Sequence, residues 1–113
     1  MTRENLLNSI VADLGANYRE SDSNVLGALL DEVINDALFI SNRLTLSETD
    51  LDSQLSILSS NIRQCVKSIY LQRGAEDVNS QSEAGLSSSY ENSIERMKSD
   101  IIRSGKRLVR WSN

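Results

Sequence analysis

Residues 51–72 read LDSQLSILSSNIRQCVKSIYLQ. Leu51, Leu55, Leu58, Ile62, Cys65 and Ile69 recur there at steps of 4, 3, 4, 3 and 4. Such steps return a side chain to the same face of a helix on every turn, whereas a strand requires alternation. Val66 and Tyr70 broaden the apolar stripe. A helix over these residues runs about 33 Å at 1.5 Å per residue. Just upstream, Ser47-Glu48-Thr49-Asp50 and then Asp52 form a start signal. A hydroxyl can cap the first turn, and carboxylates there face the positive end of the helix dipole.

Moving toward the N-terminus, Leu26, Leu30, Val33, Ala37, Ile40 and Leu44 repeat the same steps. Leu29, Ile34 and Leu38 widen that stripe, as a bundle helix needs. Ser21, Asp22 or Ser23 can cap this helix. Gly27 inside it costs about 1 kcal/mol relative to Ala and reads as a close helix approach. Before it, Leu6, Leu7, Ile10, Val11 and Leu14 predict a short amphipathic helix, capped by Thr2 and stopped at Gly15. Asn17 to Asp22 reads as a polar connector.

Moving toward the C-terminus, Gly74 stands where a left-handed C-cap is expected. Residues 74–88 carry little apolar content besides Val78 and Leu86, and five serines lie between Ser80 and Ser89. They are predicted to form a long polar loop, a feature that is usually functional or disordered in a compact domain. Tyr70 and Tyr90 bracket it and are expected to pack together at its base. Ser88 or Ser89 then caps a fourth helix with Tyr90, Ile94, Met97, Ile101 and Leu108 on one face. Ser104 fills the missing step, and Gly105 ends or bends the helix. The expected architecture is all-α: a four-helix bundle-like domain over residues 1–105, with loop 74–88 and a basic tail at 106–113.

Composition agrees with that class. The chain has 113 residues, no Pro and only 5 Gly, so few residues interrupt helices. The apolar fraction of 39% predicts a thin core for one small domain. The formal net charge of −4 is unevenly spread. Residues 1–52 hold 10 acids and 3 bases, and residues 53–113 hold 6 acids and 9 bases. An acidic body with a basic end suits head-to-tail contact between subunits or an acidic partner, and equally suits two independently solvated faces. A single cysteine, Cys65, forbids an intrachain disulfide. With no signal peptide and no apolar stretch near the ~20 residues of a membrane span, a soluble protein of a reducing compartment is expected.

Catalysis is not expected. His is absent, which removes the commonest general base. Cys65 lies on the apolar seam and reads as a buried, inert thiol. Glu32 with Asp36, and Asp50 with Asp52, read as a solvated face and as cap chemistry rather than a metal site. No phosphate-cradling Gly loop is present. In the tail, Arg103, Lys106, Arg107 and Arg110 line one side of a helix if helical, and can meet phosphates or an acidic protein surface. Trp111 is either tucked onto the protein's own surface or an anchor for a partner.

Arg73-Gly74-Ala75-Glu76, the serine run, Gly85-Leu86-Ser87, Ser89-Tyr90 and the Arg-rich last helix resemble the head–tail connector proteins of tailed bacteriophages. These adaptor, or head-completion, proteins dock beneath the portal. The sharpest likeness covers residues 70–91, and the general layout covers nearly the whole chain. The resemblance implies a helical, non-enzymatic protein without cofactor or metal, made in the host cytoplasm and built into the virion neck. It implies a homo-oligomeric ring, typically of twelve subunits, joining the portal to a tail-side stopper or tail-completion protein. Double-stranded DNA would pass its channel without sequence-specific binding. Carried over, Arg73, Gly74, Glu76, Asp77 and Gly85 become candidates for inter-subunit or channel contacts. Lys106, Arg107, Arg110 and Trp111 become candidates for portal docking. The competing readings are a small dimeric α-helical DNA-binding regulator using the basic C-terminal segment, and a coiled-coil-like interaction module of cellular origin.

Overall fold

The structure, a computed structural model, describes residues 1–43, 48–79 and 83–107, with backbone alone at 48–50, 73–79 and 83–89. Four helices follow in order: α1 (Arg3–Leu14), α2 (Ser23–Ile40), α3 (Glu48–Asn79) and α4 (Glu83–Arg103). Two single 3-10 turns, Gly15–Asn17 and Glu20–Asp22, make the polar connector between α1 and α2. No strand occurs among the described residues. The expected all-α, bundle-like domain is what forms.

The apolar stripes are the reason. Leu55, Leu58, Ile62, Cys65, Val66, Ile69 and Tyr70 of α3 are buried. Against them lie Leu26, Leu29, Leu30, Val33, Ala37 and Leu38 of α2, Leu6, Ile10 and Leu14 of α1, and Met97 and Ile101 of α4. The periodic positions named from the sequence are thus the core, with Leu51, Ile40 and Ile94 at its edge. Leu44, Ser47 and Leu108 fall outside the described residues.

Caps set the helix ends. The Thr2 hydroxyl accepts from the Asn5 amide at 3.1 Å, and Gly15 takes φ 54° beyond the last turn of α1. Asp22 occupies the cap position of α2, yet its side chain makes no capping bond there. Gly27 is buried, and the group close to it is the Arg3 guanidinium, whose Nη2 donates to the Gly27 carbonyl at 3.2 Å. The same guanidinium pairs with Asp31 at 2.5 Å, tying the start of α1 to α2.

The predicted loop is the main correction. α3 does not stop at Gly74 but runs to Asn79, about 48 Å in all at 1.5 Å per residue. α4 starts at Glu83, so Ser88 and Ser89 lie inside it and do not cap it. Residues 74–79 and 83–88 are therefore helical, and α3 and α4 form a long antiparallel hairpin, with Ser68 facing Ser93 and Lys106 reaching Asn61. The physical reason lies in what is absent from the sequence. No Pro interrupts the stretch, and a lone Gly costs only about 1 kcal/mol, which neighbouring turns can offset. Low apolar content argues that a helix is unpacked, not that it is unwound.

A Cβ at Gly27 would sit 3.3 Å from Arg3 Nη2, the far end of a flexible side chain. Gly27→Ala is therefore expected to gain most of the helix-propensity difference, up to about 1 kcal/mol. A urea midpoint below that of the parent chain would show that the Arg3 contact cannot yield.

Candidate contact surfaces

Two tyrosines fix the hairpin to the rest of the bundle. Tyr70 donates its hydroxyl to Asp22 at 2.6 Å and accepts from the Arg19 amide at 3.3 Å. Its ring packs at a tilt on Tyr18, with centroids 6.3 Å apart. Tyr90 donates to Asp36 on α2 at 2.8 Å. The two tyrosines are thus engaged with separate partners: each clamps its helix to a carboxylate of α2 or of the connector before it. Burial, followed by the neighbouring carboxylate, raises the pKa of both phenols.

The candidate residues Arg73, Gly74, Glu76 and Asp77 occupy the last turns of α3, and Gly85 the first turn of α4. The hairpin topology therefore brings all five to one end, past the clamps. Their side chains lie outside what the structure describes.

The second candidate group begins elsewhere. α2 and α4 end in the same motif. Beyond α2, the Arg43 amide bonds to the Leu38 carbonyl at 2.7 Å and Asn42 to Phe39 at 3.1 Å, with Asn42 at φ 63°. Beyond α4, the Lys106 amide bonds to Ile101 at 3.1 Å and Gly105 to Ile102 at 3.2 Å, with Gly105 at φ 74°. Both are Schellman caps, in which a left-handed residue lets the chain bond back onto the last turn. Asn and Gly are the residues that tolerate that φ.

The residues that close these caps meet. Arg43 Nη2 donates to the Lys106 carbonyl at 2.7 Å, and Arg43 Nη1 donates to Gln54 of α3. The Lys106 ammonium donates to the buried Asn61 Oδ1 at 2.7 Å. Arg43 is only 7% exposed, and its Nε has no partner among the described residues. Two helix C-termini, each the negative end of a helix dipole, surround this buried cation and compensate part of its charge. Lys106 is therefore half-buried and held internally, while Arg107 is exposed; Arg110 and Trp111 lie outside the described residues. Sequence reasoning passed over Arg43 because the apolar stripe was read on to Leu44, which places Arg43 inside the helix and off its apolar face, whereas α2 ends at Ile40. The available signal was its place directly behind an Asn, a residue that tolerates the left-handed turn ending a helix.

Elsewhere, Asp13 of α1 accepts from Arg63 at 2.5 Å and from Lys67 at 3.3 Å on α3, which hold its carboxyl below the usual range. Between α3 and α4 lies a cavity of about 80 Å³, with Cys65, Ser68, Ser93 and Arg96 among its lining residues. That is small against the roughly 300–1,000 Å³ of ligand pockets. Burial pushes the Cys65 thiol up to about 12, so it is the inert, protonated group expected on the seam. No group of His, Cys, Asp or Glu suited to a metal ion occurs among the described residues. No helix among them is long and apolar enough to cross a membrane.

No protein-family model, curated protein or solved structure matches this chain.

The raised acids predict an alkaline loss of stability. In the unfolded chain the thiol ionises near 9 and the phenols near 10; in the folded chain all three hold their protons to higher pH. Above about pH 9 the unfolded chain then binds fewer protons, and stability falls as pH rises. Tyr90→Phe should lower stability at neutral pH by about 0.5–1.5 kcal/mol, the worth of one hydrogen bond. It should also flatten the decline above pH 10. Urea unfolding from pH 8 to 11 measures both; parallel declines in the two proteins would remove Tyr90 from the account.

Proposed function

We propose that this chain is a structural head–tail connector of a tailed bacteriophage. In this reading it is a non-enzymatic adaptor that forms a ring beneath the portal, joins capsid to tail and surrounds the channel for packaged double-stranded DNA. The observation that carries the proposal is the separation of the two groups of candidate contact residues along one helix. The residues that resemble the connector motif gather at the tip of the α3–α4 hairpin, where α3 ends at Asn79. The basic C-terminal segment leaves beside Asn61 of the same helix, where Lys106 is held. Those points are about 27 Å apart along α3. An adaptor has to touch different neighbours at different levels, and this arrangement supplies that.

In this reading the hairpin tip, with Arg73, Gly74, Glu76, Asp77 and Gly85, meets neighbouring subunits or faces the channel. Arg107, Arg110 and Trp111 dock on the portal, with Lys106 anchoring their point of departure. A tail-side stopper or tail-completion protein binds the opposite side of the ring. The net charge of −4 supports a passage that does not grip DNA, since dense phosphate contacts would hold the cargo.

One observation favours the second reading, a dimeric DNA-binding regulator. Arg96, Lys98, Arg103 and Arg107 are all exposed on or just beyond α4. Native mass measurement separates the two. Rings, free or formed on a purified portal, support the connector. A stable dimer that binds duplex DNA with a steep salt dependence supports the regulator. Deleting residues 108–113, which spares Lys106, should leave the helical bundle folded and weaken attachment to the portal. Unchanged capsid completion with that truncation would remove the tail as an anchor.

A further inference from the structure

We infer that Arg43 is a positioning residue that locks the ends of α2 and α4 together and so fixes where the C-terminal segment leaves the bundle. The importance of that exit point rests on the docking role proposed above; the lock itself does not. Three facts carry it. The Lys106 carbonyl is the acceptor for Arg43 Nη2 at 2.7 Å, so the bond is to backbone and fixes the chain path rather than one side chain. The same guanidinium reaches Gln54, so both helix ends are referred to α3. Lys106 independently reaches Asn61, two turns further along α3. The planar guanidinium makes this possible, because its fork presents separate donors to two acceptors at a fixed angle. A lysine ammonium in the same place has no such fork.

A lock of this kind has a signature that mere local stability lacks. Each Schellman cap should feel the loss of the other, and coupling between two sites is reciprocal. Arg43→Gln removes the charge and the fork from the α2 side. Gly105→Ala loosens the α4 side: a Cβ there meets nothing within 4 Å, so the strain arises only from its φ of 74°.

Residue-resolved amide hydrogen exchange on the full chain tests this. Arg43→Gln is expected to speed exchange at Gly105 and Lys106 about tenfold, with the α1 amides of Ile10 and Leu14 unchanged. Arg43→Lys should resemble Gln rather than Arg. Gly105→Ala is expected to speed exchange reciprocally at Asn42 and Arg43. The lock is overturned if each substitution affects only its own cap, or if every amide speeds up equally. Should Arg43→Gln fail to fold, the Gly105→Ala arm decides alone, since it leaves every side chain of the junction in place. These measurements need no partner, so failure of the connector reading leaves their outcome intact, and attachment of Arg43→Gln to a portal tests that reading separately.

Discussion

Everything in this molecule is built against one surface, the apolar stripe of α3. Leu55, Leu58, Ile62 and Val66 are completely buried, and the other three helices take their places by covering them. Among the described residues, α1 supplies three side chains, α2 most of the remainder, and α4 Met97 and Ile101 with partly buried flanks. Burial of an aliphatic side chain contributes about 1.5–3 kcal/mol, and among the described residues α3 supplies the largest single share of the buried hydrophobic side chains. Polar links then set the angles. Arg3 with Asp31 and Asp13 with Arg63 orient α1, and the tyrosine hydroxyls orient the hairpin. Exposed ion pairs stabilise little by themselves, so their role is to choose among packings of similar apolar area.

The core was legible because burial and helical periodicity are the same fact seen twice. Leu26, Leu30, Val33, Ala37, Leu55, Leu58 and Ile62 are both periodic and buried. Local chemistry was legible where it acts within a few residues, as in the Thr2 cap, the Gly15 stop and the turn at Gly105. The extension of the hairpin was not. Between Gly74 and Ser88 the sequence has no apolar face, and a stretch without one resembles a connector, although nothing in it forbids a helix. Tyr70 and Tyr90 were expected to pack on each other, but each bonds elsewhere, and their partners, Asp22 and Asp36, are 48 and 54 residues away. No local pattern encodes such a distance.

The same limit applies to Arg43. Its amide bond to Leu38 is local, and an Asn at the helix end foreshadows it. Its guanidinium bond to Lys106 spans 63 residues and exists only because α2 and α4 finish at the same level of α3. A cation taken out of water is costly unless hydrogen-bond acceptors meet it. The Lys106 carbonyl beyond α4 and the Gln54 side chain of α3 supply them, which explains why an arginine is tolerated at a buried position.

The tyrosine clamps also give the hairpin a mechanical character. Past Tyr70, α3 continues for about 13 Å as an arm, with a longer arm of the same rod seated in the core behind it. Asp22 and Asp36 stand at the fulcrum. Apolar packing has no preferred direction and would let the rod roll about its axis, whereas phenol-to-carboxylate hydrogen bonds are directional and oppose torsion. Torsion of the hairpin about its own length is thus opposed by two phenols as well as by the leucines beneath them.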